Sequence, residues 1–238
     1  MDLRGARRFY REVATAAGDN GFRVLLDGRP MRTPAGAFLT VRSGSLARAI
    51  ASEWAGQGDV LDPKTMPMTA LANTVIDRIG PARDGVIAEA VRYASNDLLC
   101  YRADGPKALI RRQEREWQPL VDWASAHLGA SFRVTSGVVA VDQPRSVLDA
   151  IAGVARALDD EDLAVFSHVM AATGSAVLAL ALLVGRIDAD GAHRAAFLDE
   201  IWQSERWGVD AEAEARRQAV ADDIRVAAAF LALSRDAT

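Results

Sequence analysis

The sequence predicts an α+β fold in which a small β-rich N-terminal domain is followed by a larger all-α C-terminal domain. Three observations support this prediction. The first forty or so residues contain short apolar runs separated by turn residues, which is typical of strands. Apolar residues recur at helical spacing over most of the remaining chain. The pattern changes near residues 75 to 82, which predicts domains at 1–78 and 79–238.

Composition narrows the class of protein. The chain has 238 residues, half of them hydrophobic, so it can bury a stable core without disulfide bonds or bound metal ions. Its 28 basic and 32 acidic residues give a net charge of −4, which argues against a dedicated nucleic-acid partner. Cys100 is the only cysteine and lies among apolar neighbours, so we interpret it as packed and unreactive. The polar N-terminal residues favour a cytoplasmic protein, or a mature organellar one.

The β-rich part is predicted from alternation and turn residues. A strand is expected over 22–26, and Asp27-Gly28 is a hairpin turn signal. The returning strand over 29–33 contains Pro30, which favours the edge of a sheet. A further short strand is expected over 38–41.

Two helices are predicted next. Ser43 or Ser45 can cap the first, which carries Trp54 on its apolar side and ends at Gly56. We interpret Trp54 as a structural residue, because large aromatic side chains dominate burial. Thr69 is expected to cap a second helix over 70–79, which Gly80-Pro81 ends.

The C-terminal part is predicted to be helical. Residues 163–187 approach the length of a membrane span, but Ser167, His168 and Thr173 interrupt the apolar run. We therefore expect a buried helix broken at Gly174-Ser175, with the acidic run 159–162 at its N-terminus, and no membrane insertion. Pro119 is expected to kink or divide its helix. The other helices are expected at 81–96, 106–128, 144–158 and 211–233, with an extended segment over 132–141.

Residues 197–208 are the candidate functional stretch. At 100° per residue, one helical stripe holds Leu198, Ile201, Trp202 and Glu205, and another holds Asp199, Glu200, Gln203 and Trp207. One face is therefore predicted to pack, while the other presents carboxylates beside a second tryptophan. No nucleophile or metal ligand accompanies them, so the pattern indicates binding rather than catalysis. The simpler alternative is a buried helix whose carboxylates are merely solvated at its rim.

Enzymatic signatures are absent from the sequence. There is no phosphate-binding Gly-Lys-Ser/Thr loop and no Gly-x-Ser-x-Gly elbow, and His127, His168 and His193 are far apart. We therefore predict no cofactor, no metal and no small-molecule substrate. One enzymatic alternative stays open: Asp199 or Glu200 with Glu205 or Asp210 as an acid/base pair for a glycosidic bond.

Several short sequence motifs, in order along the chain, resemble those of one known family. They are Arg8-Phe9-Tyr10, Phe22-Arg23-Val24-Leu25-Leu26-Asp27-Gly28-Arg29-Pro30, Thr33-Pro34, Glu53-Trp54, Met66-Pro67-Met68-Thr69, Ala72-Asn73-Thr74, Asp97-Leu98-Leu99-Cys100-Tyr101-Arg102 and Leu198-x-Glu200-x-Trp202-Gln203-x-x-x-Trp207-Gly208. Together they resemble the assembly chaperone that serves the α subunit of the F-type ATP synthase catalytic head.

The resemblance implies a non-enzymatic assembly factor that binds the new α subunit before it pairs with β. It implies a β-rich domain followed by a helical one, and a bacterial, cytoplasmic member, with eukaryotic relatives in the mitochondrial matrix. The family's functional acidic residue maps onto Glu200, with Asp199 as the neighbouring possibility. The family's important tryptophan maps onto Trp54. A helical adaptor for another client protein is the alternative.

These considerations define the predicted site. The partner-binding residues are expected to be Glu200, Asp199, Trp207, Gln203 and Glu205, and the structural residues Trp54, Trp202 and Gly208. Two departures from the family pattern affect this set. Trp202 stands where Tyr or Phe is commoner, and the family's usual continuation after Gly208 is replaced by Val209-Asp210-Ala211-Glu212.

Overall fold

The computed structural model describes residues 5–137 and 139–236, which divide into two compact units. The first unit comprises the residues up to Arg83 together with those from Ala229 onward, and the second is Asp84–Ala228. The predicted α+β class is confirmed, since a small N-terminal sheet is followed by a mostly helical part. The domain boundary at residues 78/79 stays a prediction.

The sheet of the first unit is built around β2 (Gly21–Leu26), which pairs antiparallel with β1 (Val13–Gly18), β3 (Arg29–Pro30) and β4 (Thr40–Val41). The predicted hairpin turn is confirmed, because Asp27 and Gly28 adopt positive φ angles of 47° and 76°. The predicted strands over 29–33 and 38–41 are each shortened to two residues. β1 was not predicted, because its Ala- and Gly-rich sequence lacks a strand pattern.

α1 (Gly44–Ala55) begins as predicted at Ser43, whose hydroxyl accepts the Leu46 N–H at 3.0 Å, and it ends at Gly56. Trp54 on this helix is buried, and its indole N–H donates to Thr69 Oγ1 at 3.1 Å. The Trp54 carbonyl accepts the Tyr10 hydroxyl at 2.6 Å. Trp54 is therefore fixed by burial and by two hydrogen bonds, and its structural role stays a prediction.

The prediction that Thr69 caps the next helix is wrong. α2 (Pro67–Thr74) begins three residues before the predicted start at residue 70 and continues into one π-helical turn, Val75–Ile79. Its first N–H groups are capped by Glu53, whose carboxylate accepts from Met68 N–H at 2.6 Å and Thr69 N–H at 2.8 Å. A local capping rule misses this contact, because the acceptor comes from α1. Burial raises the pKa of Glu53, although the hydrogen bonds from Thr69 and Met68 oppose that rise.

The second unit is built from helices. α4 (Lys107–Leu128) continues unbroken through Pro119, so the predicted division there is wrong. A short parallel pair, β5 (Tyr101–Arg102) with β6 (Thr135–Ser136), lies at the extended segment predicted over 132–141, of which Val138 is outside the described residues. The helices are α3 (Arg83–Ser95), α4 (Lys107–Leu128), α5 (Arg145–Ala157), α6 (Asp160–Thr173), α7 (Ala176–Leu183), α8 (Ala189–Ala196), α9 (Leu198–Trp207) and α10 (Ala211–Ser234). α10 contributes its residues from Ala229 onward to the first unit.

The long apolar stretch is divided as predicted. α6 is capped by Asp159 and ends at Gly174, which adopts φ 70°, and every residue of α7 is buried. Within residues 5–137 and 139–236, no helix has both the length and the apolar character needed to cross a bilayer.

A fully buried carboxylate holds the start of α7. Asp97 accepts the Ser175 hydroxyl at 2.8 Å and the Leu99 N–H at 3.0 Å through Oδ1, and the Val177 N–H at 3.0 Å through Oδ2. The negative charge also lies at the positive end of the α7 dipole. Burial nevertheless raises the pKa of Asp97 from 3.8 to about 6, against the opposing effect of these hydrogen bonds.

This raised pKa predicts a pH dependence of stability. Between about pH 4 and pH 6 the folded chain holds a proton on Asp97 that the unfolded chain releases, so the free energy of unfolding falls as pH rises. Across this window the wild type should lose about 3 kcal/mol relative to Asp97→Asn, which does not titrate there. Urea unfolding at pH 4, 5, 6 and 7 measures the difference. An unchanged difference would contradict the assignment.

Candidate functional site

α9 packs with one face and presents another. Leu198 and Trp202 are buried, and Ile201 is half-buried, as the predicted stripe requires. Glu205, which the same stripe includes, lies outside the packing face with 53% of its side chain exposed. Glu200, Gln203 and Trp207 are all exposed.

The two tryptophans of α9 form one aromatic pair. The rings of Trp202 and Trp207 meet edge to face, with their centroids 5.7 Å apart. The guanidinium of Arg206 lies 4.3 Å from the centroid of Trp202, within range of a cation–π contact. Trp202 is buried, whereas 74% of Trp207 is exposed. The pair therefore anchors a large exposed ring on a buried one, and the neighbouring Val209 is exposed as well.

Two of the predicted acidic residues are engaged within the chain. Asp199 accepts the side-chain N–H of Gln113 at 2.7 Å, and Gln113 in turn accepts the Ala103 N–H at 2.8 Å. Glu205 accepts from Arg112 at 2.7 Å, and this hydrogen bond is the main cause of a raised pKa of Arg112. Both carboxylates therefore tie α9 to α4.

Glu200 is more loosely held. Its Oε2 lies 3.5 Å from Nη1 of Arg217, at the limit of a hydrogen bond, and 51% of its side chain is exposed. Arg217 is only 5% exposed and also donates to Glu214. One buried cation thus lies between two half-exposed carboxylates, and the three groups together carry a net charge of −1.

Arg217 was missed from the sequence. It lies in a polar stretch that reads as a solvated helix face. Its spacing could have revealed it, because Arg217 precedes the buried Ala221 and Ile224 by four and seven residues. A charged residue on the apolar face of a helix needs a partner, and Glu200 and Glu214 supply two.

A groove of about 350 Å³ brings together the predicted residues Glu200, Gln203, Trp207 and Gly208 with Arg217. Gly208 ends α9 with φ 96°, a conformation that favours glycine, and so permits the turn toward α10. Asp210 accepts the Glu212 and Ala213 N–H groups at 2.9 and 3.2 Å, and these bonds lower its pKa. Asp210 thus serves the start of α10.

The remaining reactive groups lie apart from this groove. Burial raises the pKa of the Cys100 thiol to about 12, so the thiolate that nucleophilic chemistry requires is disfavoured. Among the residues that the structure describes, no three His, Cys, Asp or Glu side chains are arranged to hold a metal ion.

The groove presents an exposed tryptophan, packed on a buried one, beside carboxylates. These groups are typical of protein–protein interfaces, so the class is a protein-binding protein. A family model described as ATP12 chaperone protein matches residues 7–125. The chain belongs to the ATP12 chaperone family. The resemblance found in the sequence is therefore confirmed, and the chain is an ATP synthase assembly chaperone.

Individual relatives agree with this assignment. The mitochondrial protein atp12 of Schizosaccharomyces pombe is 24% identical over 214 residues, covering 85% of this chain and 74% of that protein. The crystal structure of Atp12 from Paracoccus denitrificans is 43% identical with a TM-score of 0.92, covering 97% of this chain and 99% of that one. An aspartate-to-lysine mutant of the P. denitrificans protein is 41% identical with a TM-score of 0.93, covering 97% and 98%.

Proposed function

We propose that this chain binds the unassembled α subunit of the F-type ATP synthase and keeps it from aggregating until it pairs with β. The observation that carries the proposal is the exposed ring of Trp207 beside the half-exposed Glu200. Tryptophan is enriched at the energetic centres of protein interfaces, and 74% of this one has no protein cover. Within this chain the ring meets Trp202 edge to face, so most of its surface is available to a partner.

The chemistry of the groove fits a client that must later be released. An α subunit awaiting β presents an apolar face meant for an obligate interface, and such faces aggregate. Trp207 and Val209 offer apolar area to that face, while Glu200 and Gln203 offer polar contacts that water can replace. In this proposal the Glu200 carboxylate selects a basic group on the α subunit, and Asp199 and Glu205 contribute negative charge along the same helix.

We propose further that the chain acts by binding and without turnover, in a bacterial cytoplasm. Asp199, Glu205 and Asp210 each hold a hydrogen bond within the chain, which weighs against their use as an acid/base pair. The P. denitrificans relatives, of similar length, support the bacterial setting.

Affinity capture tests the choice of client. The tagged full-length chain, incubated with a lysate that contains unassembled α and β subunits, should retain α and leave β in the flow-through. Recovery of neither subunit, with another protein retained instead, would favour the alternative of an adaptor for a different client.

Replacing Trp207 by alanine should weaken binding to purified α subunit by about thirtyfold, because a central interface tryptophan contributes about 2 kcal/mol or more. The free energy of unfolding should fall by no more than about 1 kcal/mol, since only the edge contact with Trp202 is lost. Biolayer interferometry and urea unfolding measure the two effects. Val184→Ala, at another exposed apolar residue of the second unit, should bind as the wild type does. Equal affinities for both variants would remove Trp207 from the interface.

A further inference from the structure

The first unit contains a second concave site, which shares no lining residue with the groove at α9. A cavity of about 550 Å³ opens beside the hairpin turn of the sheet. We call it the aromatic cavity and define it by five of its lining residues: Phe9, Tyr10, Met31, Trp54 and Asn73. Its volume is in the range of ligand-binding sites in general. Aromatic and aliphatic side chains line it together with the polar or charged residues Asp27, Arg29, Arg32, Thr33, Thr69 and Asn73.

Burial and hydrogen bonds hold two aromatic residues of the cavity wall in place. Tyr10 and Trp54 are buried, and their rings lie 5.5 Å apart. Hydrogen bonds hold both residues, from the Tyr10 hydroxyl to the Trp54 carbonyl and from the Trp54 indole to Thr69. Phe9 meets the Tyr10 ring edge to face at 5.4 Å but is 59% exposed. The rim therefore presents an aromatic ring to solvent above a fixed aromatic wall.

Of the buried side-chain polar atoms that the structure describes in this wall, one lacks a hydrogen-bond partner. Thr69 is bonded to both Trp54 and Glu53, and Thr33 donates to Asp77 at 2.6 Å. The Oδ1 of Asn73, by contrast, is buried without any hydrogen-bond partner among the described residues. A buried carbonyl oxygen without a donor costs about 1–3 kcal/mol. Because Asn73 lines the cavity, a ligand there that supplied a donor to its amide would relieve this cost.

We propose that the aromatic cavity binds an extended segment of the client polypeptide, with Asn73 pairing to its backbone. A primary amide carries one acceptor and two donors, so it can bond both the N–H and the C=O of a peptide group, whatever the side chain. An apolar side chain of the same segment packs against Phe9, Tyr10 and Met31. The charged residues that line the cavity are Asp27, Arg29 and Arg32, so both signs are present, with one basic group in excess.

This proposal rests on the chaperone function and takes the ATP synthase α subunit as its client. It assigns the two units different tasks: the groove at α9 contacts a folded face of the client, and the aromatic cavity contacts an extended stretch. Because one main-chain amide and one apolar side chain suffice for recognition, the cavity accepts many sequences. That tolerance suits a chaperone whose client is still folding.

The decisive variant is Asn73→Leu, which keeps the size of the side chain but removes the amide. If Asn73 serves the fold, the variant should unfold at a lower temperature. If it serves a ligand, the melting temperature should stay the same or rise, because an unsatisfied buried oxygen is replaced by an apolar group and leucine favours the helix. Affinity for the segment should fall by about tenfold.

The experiment uses overlapping twelve-residue peptides spanning the α subunit, each labelled with a fluorophore and titrated with the full-length chain in an anisotropy assay. At least one apolar peptide should bind the wild type and Trp207→Ala equally, and should bind Asn73→Leu and Phe9→Ala about tenfold more weakly. The proposal is overturned if no peptide binds the wild type, or if Asn73→Leu and Phe9→Ala bind as tightly as the wild type. Either result would leave the capture of folded α subunit at α9 to be judged separately by the affinity capture and Trp207→Ala.

Discussion

Replacing Asp97 by alanine is expected to lower the free energy of unfolding by about 3 to 5 kcal/mol. The substitution removes the acceptor of three hydrogen bonds, from Ser175, Leu99 and Val177, all within a buried part of the second unit. Each of the three donors would then lack a partner in a site that water does not reach. Each unsatisfied donor costs about 1–3 kcal/mol before the surrounding structure relaxes. Because α7 lies wholly in the core, the loss cannot be relieved by exposing its first turn.

Urea unfolding followed by circular dichroism at pH 7 measures this effect. Asp142→Ala is the matched control, since Asp142 is an exposed aspartate of the same unit and its loss should change stability by no more than about 0.5 kcal/mol. A change of that small size for Asp97→Ala would mean that α7 does not depend on the carboxylate.

Reversing the charge of Glu200 to lysine is expected to abolish binding of the α subunit while leaving the fold intact. A like-charge contact in an interface costs several kcal/mol, enough to lower affinity by about a hundredfold or more. The new ammonium would also lie near the buried guanidinium of Arg217, which keeps Glu214 as its partner.

Two controls separate a local contact from a change in overall charge. Glu89→Lys reverses an exposed carboxylate on α3 and alters the net charge by the same amount, so it should bind the α subunit as the wild type does. Glu200→Gln removes the charge without reversing it and should give an intermediate affinity, measured by biolayer interferometry. If Glu200→Lys and Glu89→Lys bind alike, the carboxylate of Glu200 makes no specific contact.

Elements with a local signal were predictable from the sequence. Ser43 caps α1 through a residue three positions away, and Gly174 divides α6 from α7 in a left-handed conformation that glycine favours. The helical spacing of apolar residues on α9 likewise distinguished the buried Trp202 from the exposed Trp207. These features depend on neighbours within one or two turns, which the sequence displays directly.

Features that depend on distant residues were not predictable in this way. Glu53 caps α2 from fifteen residues away, so Thr69 was mistaken for the cap. Asp97 finds Ser175 across 78 residues, and Glu200 finds Arg217 across seventeen. In each case the sequence shows a charged residue with no visible reason for its position. The reason is a partner that only the folded chain brings near.

The measurement that most directly tests the central claim is light scattering by purified, unassembled α subunit at the temperature where it aggregates. With an equimolar amount of the wild-type chain the scattering should stay near its starting value, while with Glu200→Lys it should rise as it does for α subunit alone. Equal rates of aggregation with and without the wild-type chain would contradict the account.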